Sequence, residues 1–377
     1  MSFNSGDTVF FFGAGASAPF GIPTMKQFVI DFEKFLSNNG TKDENILYGK
    51  IKSALEKQLK REIDLEDVFT VIDGYINFNF ERLGLLSVYC FNENLSQKTE
   101  IPSSSYNAEV PICKMLSEKF QNFVREKCLI PNEAFGKISD VYHDFFNRFC
   151  LESTVAGYTM RDKYSWYNSW VLFTTNYDTC LEHYWRQVAK VRLNTGFVAD
   201  EATNTWVLNP NRFYEEGQSV RFFKLHGSIS WQIQPDGTVT EEQTVLGRSL
   251  VGRKFVREMM IYPVQQKELY LEPHVSMLVQ LNQQLKNKSN WVIIGYSFSD
   301  PVIREIFLRN SSEKKKIILV HPVAHEVQNQ RLTDIKGQFS LIDGRFGLEN
   351  SFRLINYSII RGLKPSPRYS YNETPIP

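Results

Sequence analysis

The stretch TVFFFGAGASAPFGIP, residues 8–23, decides the fold class. Thr8 to Phe12 show no alternation of apolar and polar residues. A strand of that composition must be covered on both faces, as in a parallel sheet packed on two sides. Gly13, Ala14, Gly15, Ala16 and Ser17 follow directly, then Gly21-Ile22-Pro23 and a helical pattern. A strand that passes through glycines into a helix lets backbone amides approach a phosphate, with the positive end of the helix facing the charge. The spacing is not G-x-G-x-x-G, so a plain tight turn is the competing reading.

Working outward, three further apolar runs bounded by turn residues read as buried strands: WVLFTTN (Trp170 to Asn176), WVIIGYS (Trp291 to Ser297) and KIILVHP (Lys316 to Pro322). VRFFKLHG (Val220 to Gly227) and FSLID (Phe339 to Asp343) are weaker versions of the same pattern. Between the first two strands the period changes. Met25, Phe28, Val29, Phe32, Phe35 and Leu36 repeat at helical spacing and stop before Gly40. Ile112, Met115, Leu116, Phe120, Phe123 and Val124 form a second stripe, and Val141, Tyr142, Phe145, Phe146 and Phe149 a third. All three read as core-facing sides of amphipathic helices. The polar, proline-bearing stretch from Asn94 to Pro111 reads as a loop, and Ile229 to Gly247 as a hairpin turning at Pro235-Asp236-Gly237.

The expected architecture is therefore α/β: a Rossmann-like doubly wound parallel sheet with a large inserted helical subdomain. One domain spans residues 1–345, its sheet core drawn from 6–30, 168–228 and 289–345, with the helical insertion at about 31–165 and the hairpin module at about 229–260. Residues 346–377 form a polar, proline-rich C-terminal extension.

Composition removes several classes of function. Lys and Arg number 43 against 42 Asp and Glu, so no global field draws the chain to nucleic acid or an acidic membrane. No run approaches the roughly 18 apolar residues of a membrane-spanning helix, and no secretory leader is evident at the N-terminus. The five cysteines, Cys90, Cys113, Cys128, Cys150 and Cys180, are widely spaced and form no C-x-x-C pair. A reduced, cytoplasmic protein without membrane or direct nucleic-acid binding is expected.

In open α/β sheets, ligands bind beyond the carboxyl ends of the strands. Five loops lie there. The first is Gly13 to Ser17. The second, FTTNYDTC, carries Thr174, Thr175, Asn176 and Asp178, whose ordinary job is to cap the following helix. The third places His226 before Gly227, a side chain whose titration near neutrality suits proton transfer, although a structural histidine is the commoner case. The fourth, IIGYSFSDP, supplies Gly295, Ser297, Ser299 and Asp300, and the fifth His321. His321 and His325 are four apart, but Pro322 intervenes and no further ligand completes a set, so no metal is expected.

In their order these loops resemble the sirtuin family. GAGAS followed by GIP (Gly13 to Ser17, Gly21 to Pro23), the TTN-x-D loop (Thr174 to Asp178), the pair His226-Gly227 and the glycine-serine loop Gly295 to Ser297 match the family's nucleotide-binding motifs over the sheet-forming half of the chain. Two departures matter. The family deacylases continue GIP with Asp-Phe-Arg, where this chain has Thr24-Met25-Lys26, and they carry a four-cysteine zinc module after the HG pair, where this chain has a cysteine-free hairpin. The large helical insertion also looks unlike the deacylases and resembles the sirtuin-like NADases of bacterial antiphage defence, which consume NAD and often act with a partner such as a HerA-type ATPase.

The resemblance implies NAD as substrate, no zinc, a homo-oligomer and a controlling protein partner. It implies that Asn176 orients a ribose hydroxyl or water and that His226 accepts its proton, with Asp178 orienting neighbouring groups. Gly13, Ala14, Gly15, Ala16 and Ser17 would contact pyrophosphate and ribose, with Pro23, Thr175, Gly295 and Ser297 lining the cofactor and Asp300 and His321 near its adenosine end. The reaction expected is hydrolysis of the nicotinamide–ribose bond. A protein deacylase or ADP-ribosyltransferase, and a catalytically quiet NAD-binding scaffold, stand as alternatives.

Overall fold

The computed structural model of the chain describes residues 5–60, 63, 65–76, 103–151, 170–201, 205–215, 219–242, 257–260 and 272–347. It divides into two compact units, one of Met1–Ile22, Leu129–Met260 and Tyr270–Pro377, the other of Pro23–Cys128 and Ile261–Leu269.

Twelve strands are described, β1 (Thr8–Phe12), β2 (Val171–Thr174), β3 (Leu193–Asn194), β4 (Phe197–Asp200), β5 (Thr205–Leu208), β6 (Val220–Lys224), β7 (Gly227–Ile233), β8 (Val239–Glu241), β9 (Arg257–Met260), β10 (Asn290–Ile294), β11 (Lys316–His321) and β12 (Gln338–Asp343). Seven of them form a sheet in the order β12-β11-β10-β1-β2-β6-β3, and every neighbouring pair is parallel. The chain proceeds from β1 towards β2 on one side and later returns to β10 on the other, so β1 lies at the point where the strand order reverses. The doubly wound parallel sheet expected from the apolar runs is the one observed.

The two faces show why those runs lack alternation. Phe10, Phe12, Leu172, Phe222, Val292 and Ile294 enter one buried cluster, whereas Val9, Phe11, Val171, Phe173, Phe223 and Ile293 enter another on the opposite face. Every position is buried, so a period of two has no solvent side to mark it. On the first face lies the helix Ala134–Leu151, where Tyr142, Phe145 and Phe146, the described part of the third stripe, meet β1. The opposite face is covered by helices His274–Asn287, Pro301–Asn310 and Ala324–Arg331 through Met277, Leu281, Leu285, Ile303, Phe307 and Val327.

The remaining strands form an antiparallel sheet in the order β4-β5-β8-β7-β9. The expected hairpin is its β7–β8 pair, turning where Gly237 adopts a left-handed φ of 86°. β3, β4, β5 and β9 are additions to the sequence reading. β6 and β7 belong to different sheets, yet only Leu225 and His226 separate them.

The second unit is helical, with Met25–Asn39, Lys42–Leu59, Leu65–Ile76 and Ser103–Cys128. Its core is aromatic: Phe32 packs edge-on against Phe69, Phe120 and Phe123, and Phe69 stacks on Phe120 at 3.7 Å. Thr41 and Glu44 form a capping box that starts the second helix. Two expectations are corrected here. Residues 103–111 are helical rather than loop: Pro111 is exposed inside the long helix, where the N–H it lacks costs one backbone bond. Met25 and Met115 stand at the exposed margins of their stripes rather than in the core. Residues 94–102 and 243–247 of the expected loop and hairpin, and the extension from 348 onwards, lie outside the described residues.

Phe10 in the central strand stacks on Trp170 at 5.0 Å and meets Phe145 and Phe146 edge-on at 6.2 Å. Phe10→Ala should lower the unfolding free energy by about 3–5 kcal/mol, measured by urea denaturation; a loss under about 1 kcal/mol would show that this cluster collapses to fill the gap.

Candidate functional site

Backbone approach comes first. The loop after β1 lies on the loop after β10: Gly13 N–H donates to the Ile294 carbonyl at 2.8 Å and Gly15 N–H to the Gly295 carbonyl at 2.9 Å. A Cβ on Gly295 would sit 2.4 Å from the Ala16 nitrogen, and its φ of 63° is left-handed. A Cβ on Gly13 would meet Tyr296 Cα at 2.6 Å. The glycines are therefore required by loop-to-loop contact irrespective of any ligand. Ala16 N–H and Ser17 N–H are also bonded within the loop, which leaves Ala14 as the residue of the five whose amide has no partner among the described residues.

The second loop ties into the first. Asn176, nine-tenths buried, donates both hydrogens of its side-chain amide, one to the Gly13 carbonyl at 3.0 Å and one to Ser17 Oγ at 2.9 Å. Because the Gly13 oxygen only accepts, the amide orientation is settled and Oδ1 is left as an acceptor without a partner among the described residues. Its own N–H is held by Thr174 Oγ1 at 3.0 Å. Thr175 extends the ladder to the Phe12 carbonyl.

The third loop ties into the fourth. His226 Nε2 lies 2.9 Å from Asp300 Oδ2. Asp300 Oδ1 meanwhile accepts from the amides of Val302 and Ile303 and so caps the helix Pro301–Asn310. Burial works against ionisation of Asp300, but the His226 ring and the two amides prevail and hold its carboxyl below the usual range. β10 and β6 have β1 and β2 between them. The segment from Gly295 to Asp300 must cross the ends of both strands to make this contact. Left-handed Phe298 (φ 57°) turns the crossing, held by its packing on Tyr296 and Phe307.

Thr174 pairs with Lys224 across β2 and β6. Asn176 and His226 each stand two residues past that pair, in the loops that leave the neighbouring strands β2 and β6. Behind them lies a residue that sequence reading missed. Lys224, 2% exposed, reaches back under the second loop to the Tyr177 carbonyl at 3.2 Å, to the Asp178 carbonyl, and to Glu182 Oε1 at 2.8 Å. Burial pushes the Glu182 carboxyl up despite the attraction of Lys224 and Arg186. The signal was a lysine that follows two phenylalanines at the end of the strand Val220–Lys224. His274, fully buried, was also missed: burial and the charge of His226 push its pKa down to about 3, which keeps it neutral.

Other expected residues have contacts that do not include Asn176, His226 or Asp300. Asp178 turns inward and accepts from the Cys180 amide at 3.0 Å, the helix-start role available to any Asp at such a turn. Ser297 bonds Ser299 at 3.2 Å on the exposed rim. His321 caps its own turn by accepting from Val323 N–H, and burial lowers its pKa. β10, β1 and β2 separate its strand from that of His226, roughly 19 Å at the usual strand spacing. His325 pairs with Asp343 instead of His321. Pro23 belongs to the helical unit. Among the described residues, no group of three His, Cys, Asp or Glu could hold a metal ion, and no helix is long and apolar enough to cross a membrane.

Residues 171–336 match the family model described as SIR2-like domain. The matched part runs from β2 through β11 and includes Asn176, His226, Gly295 and Asp300; the loop Gly13 to Ser17 precedes it. No curated relative matches the chain. Solved structures are similar at a distance: a Sir2 homologue in complex with NAD is 14% identical, with 95% of this chain and 90% of that chain covered and a TM-score of 0.39. A mutant Sir2 homologue bound to 2′-O-acetyl-ADP-ribose is also 14% identical, over 95% and 94% of the two chains, with a TM-score of 0.39.

Lys224→Met strands a buried carboxylate and should destabilise the fold by about 3–5 kcal/mol, whereas Lys224→Met combined with Glu182→Leu should cost clearly less than the single change. A urea-denaturation cycle over the four proteins measures this; strict additivity would show that the two groups do not interact. For Asp300, whose folded-state pKa is lowered, the stabilisation is complete above the unfolded value near about pH 3.9 and is lost as pH falls through the folded value. The stability gap between wild type and Asp300→Asn should thus be full at neutral pH and close in acid, which denaturation at a series of pH values would reveal.

Proposed function

We propose that this chain cleaves the nicotinamide–ribose bond of NAD with water as the acceptor. The observation that carries the reading is the presence of two fixed, complementary groups in the loops just beyond the neighbouring strands β2 and β6: the Asn176 Oδ1 acceptor, with both amide hydrogens held elsewhere, and the His226 ring, with Nε2 on Asp300. A carboxylate on Nε2 selects the Nε2–H tautomer and leaves Nδ1 as the proton acceptor. Nδ1 has no partner among the described residues.

In this reading Asn176 Oδ1 orients a water or ribose hydroxyl by accepting from it. Nicotinamide leaves as a neutral molecule, taking the electron pair of the broken bond. Water adds to the electron-poor ribose carbon, and its proton passes to His226 Nδ1, with Asp300 balancing the imidazolium. The close backbone of Gly13, Gly15 and Gly295 and the open Ala14 amide suit the pyrophosphate, which needs donors that approach without side chains in the way. Water rather than an acyl-lysine is favoured because no cysteine occurs from Gly227 to Pro273, where a four-cysteine module would lie. We further read the protein as a cytoplasmic homo-oligomer that depletes NAD in antiphage defence under the control of a protein partner such as a HerA-type ATPase.

Purified protein incubated with NAD alone, and with NAD plus acetylated peptide, tests the chemistry when products are resolved chromatographically. Nicotinamide and ADP-ribose are expected without peptide, with rates down about 100-fold or more in Asn176→Ala and His226→Ala, and reduced in Asp300→Asn. Strict dependence on peptide, or wild-type rates in both alanine variants, would overturn the reading.

A further inference from the structure

At the opposite end of the sheet is a cavity that the proposed reaction does not use. Arg186, on the π-helical turn Tyr184–Val188, and Lys190 and Arg192, just before β3, line it together with Arg212, from the turn Pro210–Tyr214. Phe197 and Trp206, from β4 and β5, form an apolar wall. Its volume is about 300 Å³, the lower end of the range for small-molecule sites. Because β3 runs parallel to β6, residues that precede β3 lie at the amino end of the sheet, away from Asn176 and His226.

Lys190 and Arg192 are exposed at the rim of the cavity, whereas Arg186 and Arg212 are half-buried and held in place. Arg186 is fixed at 2.9 Å by Glu241, a buried carboxylate that also accepts from Thr195 Oγ1 and Trp231 Nε1. Arg212 gives one nitrogen to Glu215 at 2.5 Å, while its Nε is buried and has no acceptor among the described residues. Lys190 and Arg192 have no carboxylate partner among the described residues, and Lys190 is held in a left-handed turn (φ 53°) that starts this segment. Among the described residues, four cations thus meet two carboxylates, Glu241 and Glu215. The surplus of two matches the charge of a phosphate monoester, about −1.5 to −2 at neutral pH, and guanidinium groups suit its oxygens. A concave site lined by one sign of charge concentrates such an anion, and the aromatic wall suits a flat ring beside it.

We propose that this cavity binds a mononucleotide, its phosphate held by Lys190, Arg192 and Arg212 and its base against Trp206 and Phe197. The proposal does not rest on NAD cleavage. Isothermal titration calorimetry with 5′-AMP and 5′-UMP as probes tests it, with adenosine and inorganic phosphate as controls, on wild type, Lys190→Ala/Arg192→Ala and Asn176→Ala. Both nucleotides should bind wild type, weaken about tenfold or more in the double variant, and bind Asn176→Ala as they bind wild type, because that residue is at the other end of the sheet. Lys190→Arg/Arg192→Lys should keep most of the affinity. Phosphate should bind more weakly than either nucleotide, and adenosine weakest. Equal affinity in wild type and the double variant, a loss confined to Asn176→Ala, or no binding of either nucleotide to wild type would overturn the proposal.

Discussion

The contact between the backbones of two loops governs the arrangement of the candidate site. Gly13 and Gly15 on one side and Gly295 on the other meet at distances that admit no Cβ. That contact brings the ends of β1 and β10 together where the strand order reverses. Everything else hangs from it: Asn176 reaches across to the Gly13 carbonyl and Ser17, and the chain leaving Gly295 crosses two strand ends to set Asp300 against His226. Larger side chains at the three positions would part the loops and, with them, the groups that Asn176 and His226 lean on.

Beneath this surface a buried ion pair does the complementary work. Lys224 grips the carbonyls of Tyr177 and Asp178, so the loop that presents Asn176 is held from below by β6 as well as from the side by β1. The same strand ends in His226 two residues later. One short segment thus steadies both groups of the proposed chemistry, and its charge is balanced by Glu182 on the helix that the second loop starts. Such a pair adds little to stability relative to an apolar substitute, but each member depends on the other being present.

How much of this was legible follows from burial. β1, β2, β10 and β11 were visible because a strand covered on both faces must be apolar throughout. β3 has two residues, and β4 and β5 are half-exposed without alternation, so nothing in their sequence sets them apart from loop. Asn176 and His226 could be singled out not by residue type, which fits capping and structural roles as well, but by the order of their loops along the chain. The partnership of His226 with Asp300 could not, since it joins residues 74 apart through a crossing whose path depends on Gly295 and Phe298 turning left-handed. Asp178 illustrates the converse: the residue type fits both chemistry and a helix start, and the geometry places its carboxylate on the Cys180 amide. Lys224 was readable in principle, because a charge at the end of a strand expected to be buried demands a buried partner.

The two-residue passage from β6 to β7 gives His226 a mechanical character. Its backbone is the joint between a parallel sheet, which carries Asn176, and an antiparallel one, which extends away through β8, β5 and β4. With two residues in the joint, the place of His226 is set by both sheets at once rather than by the parallel sheet alone.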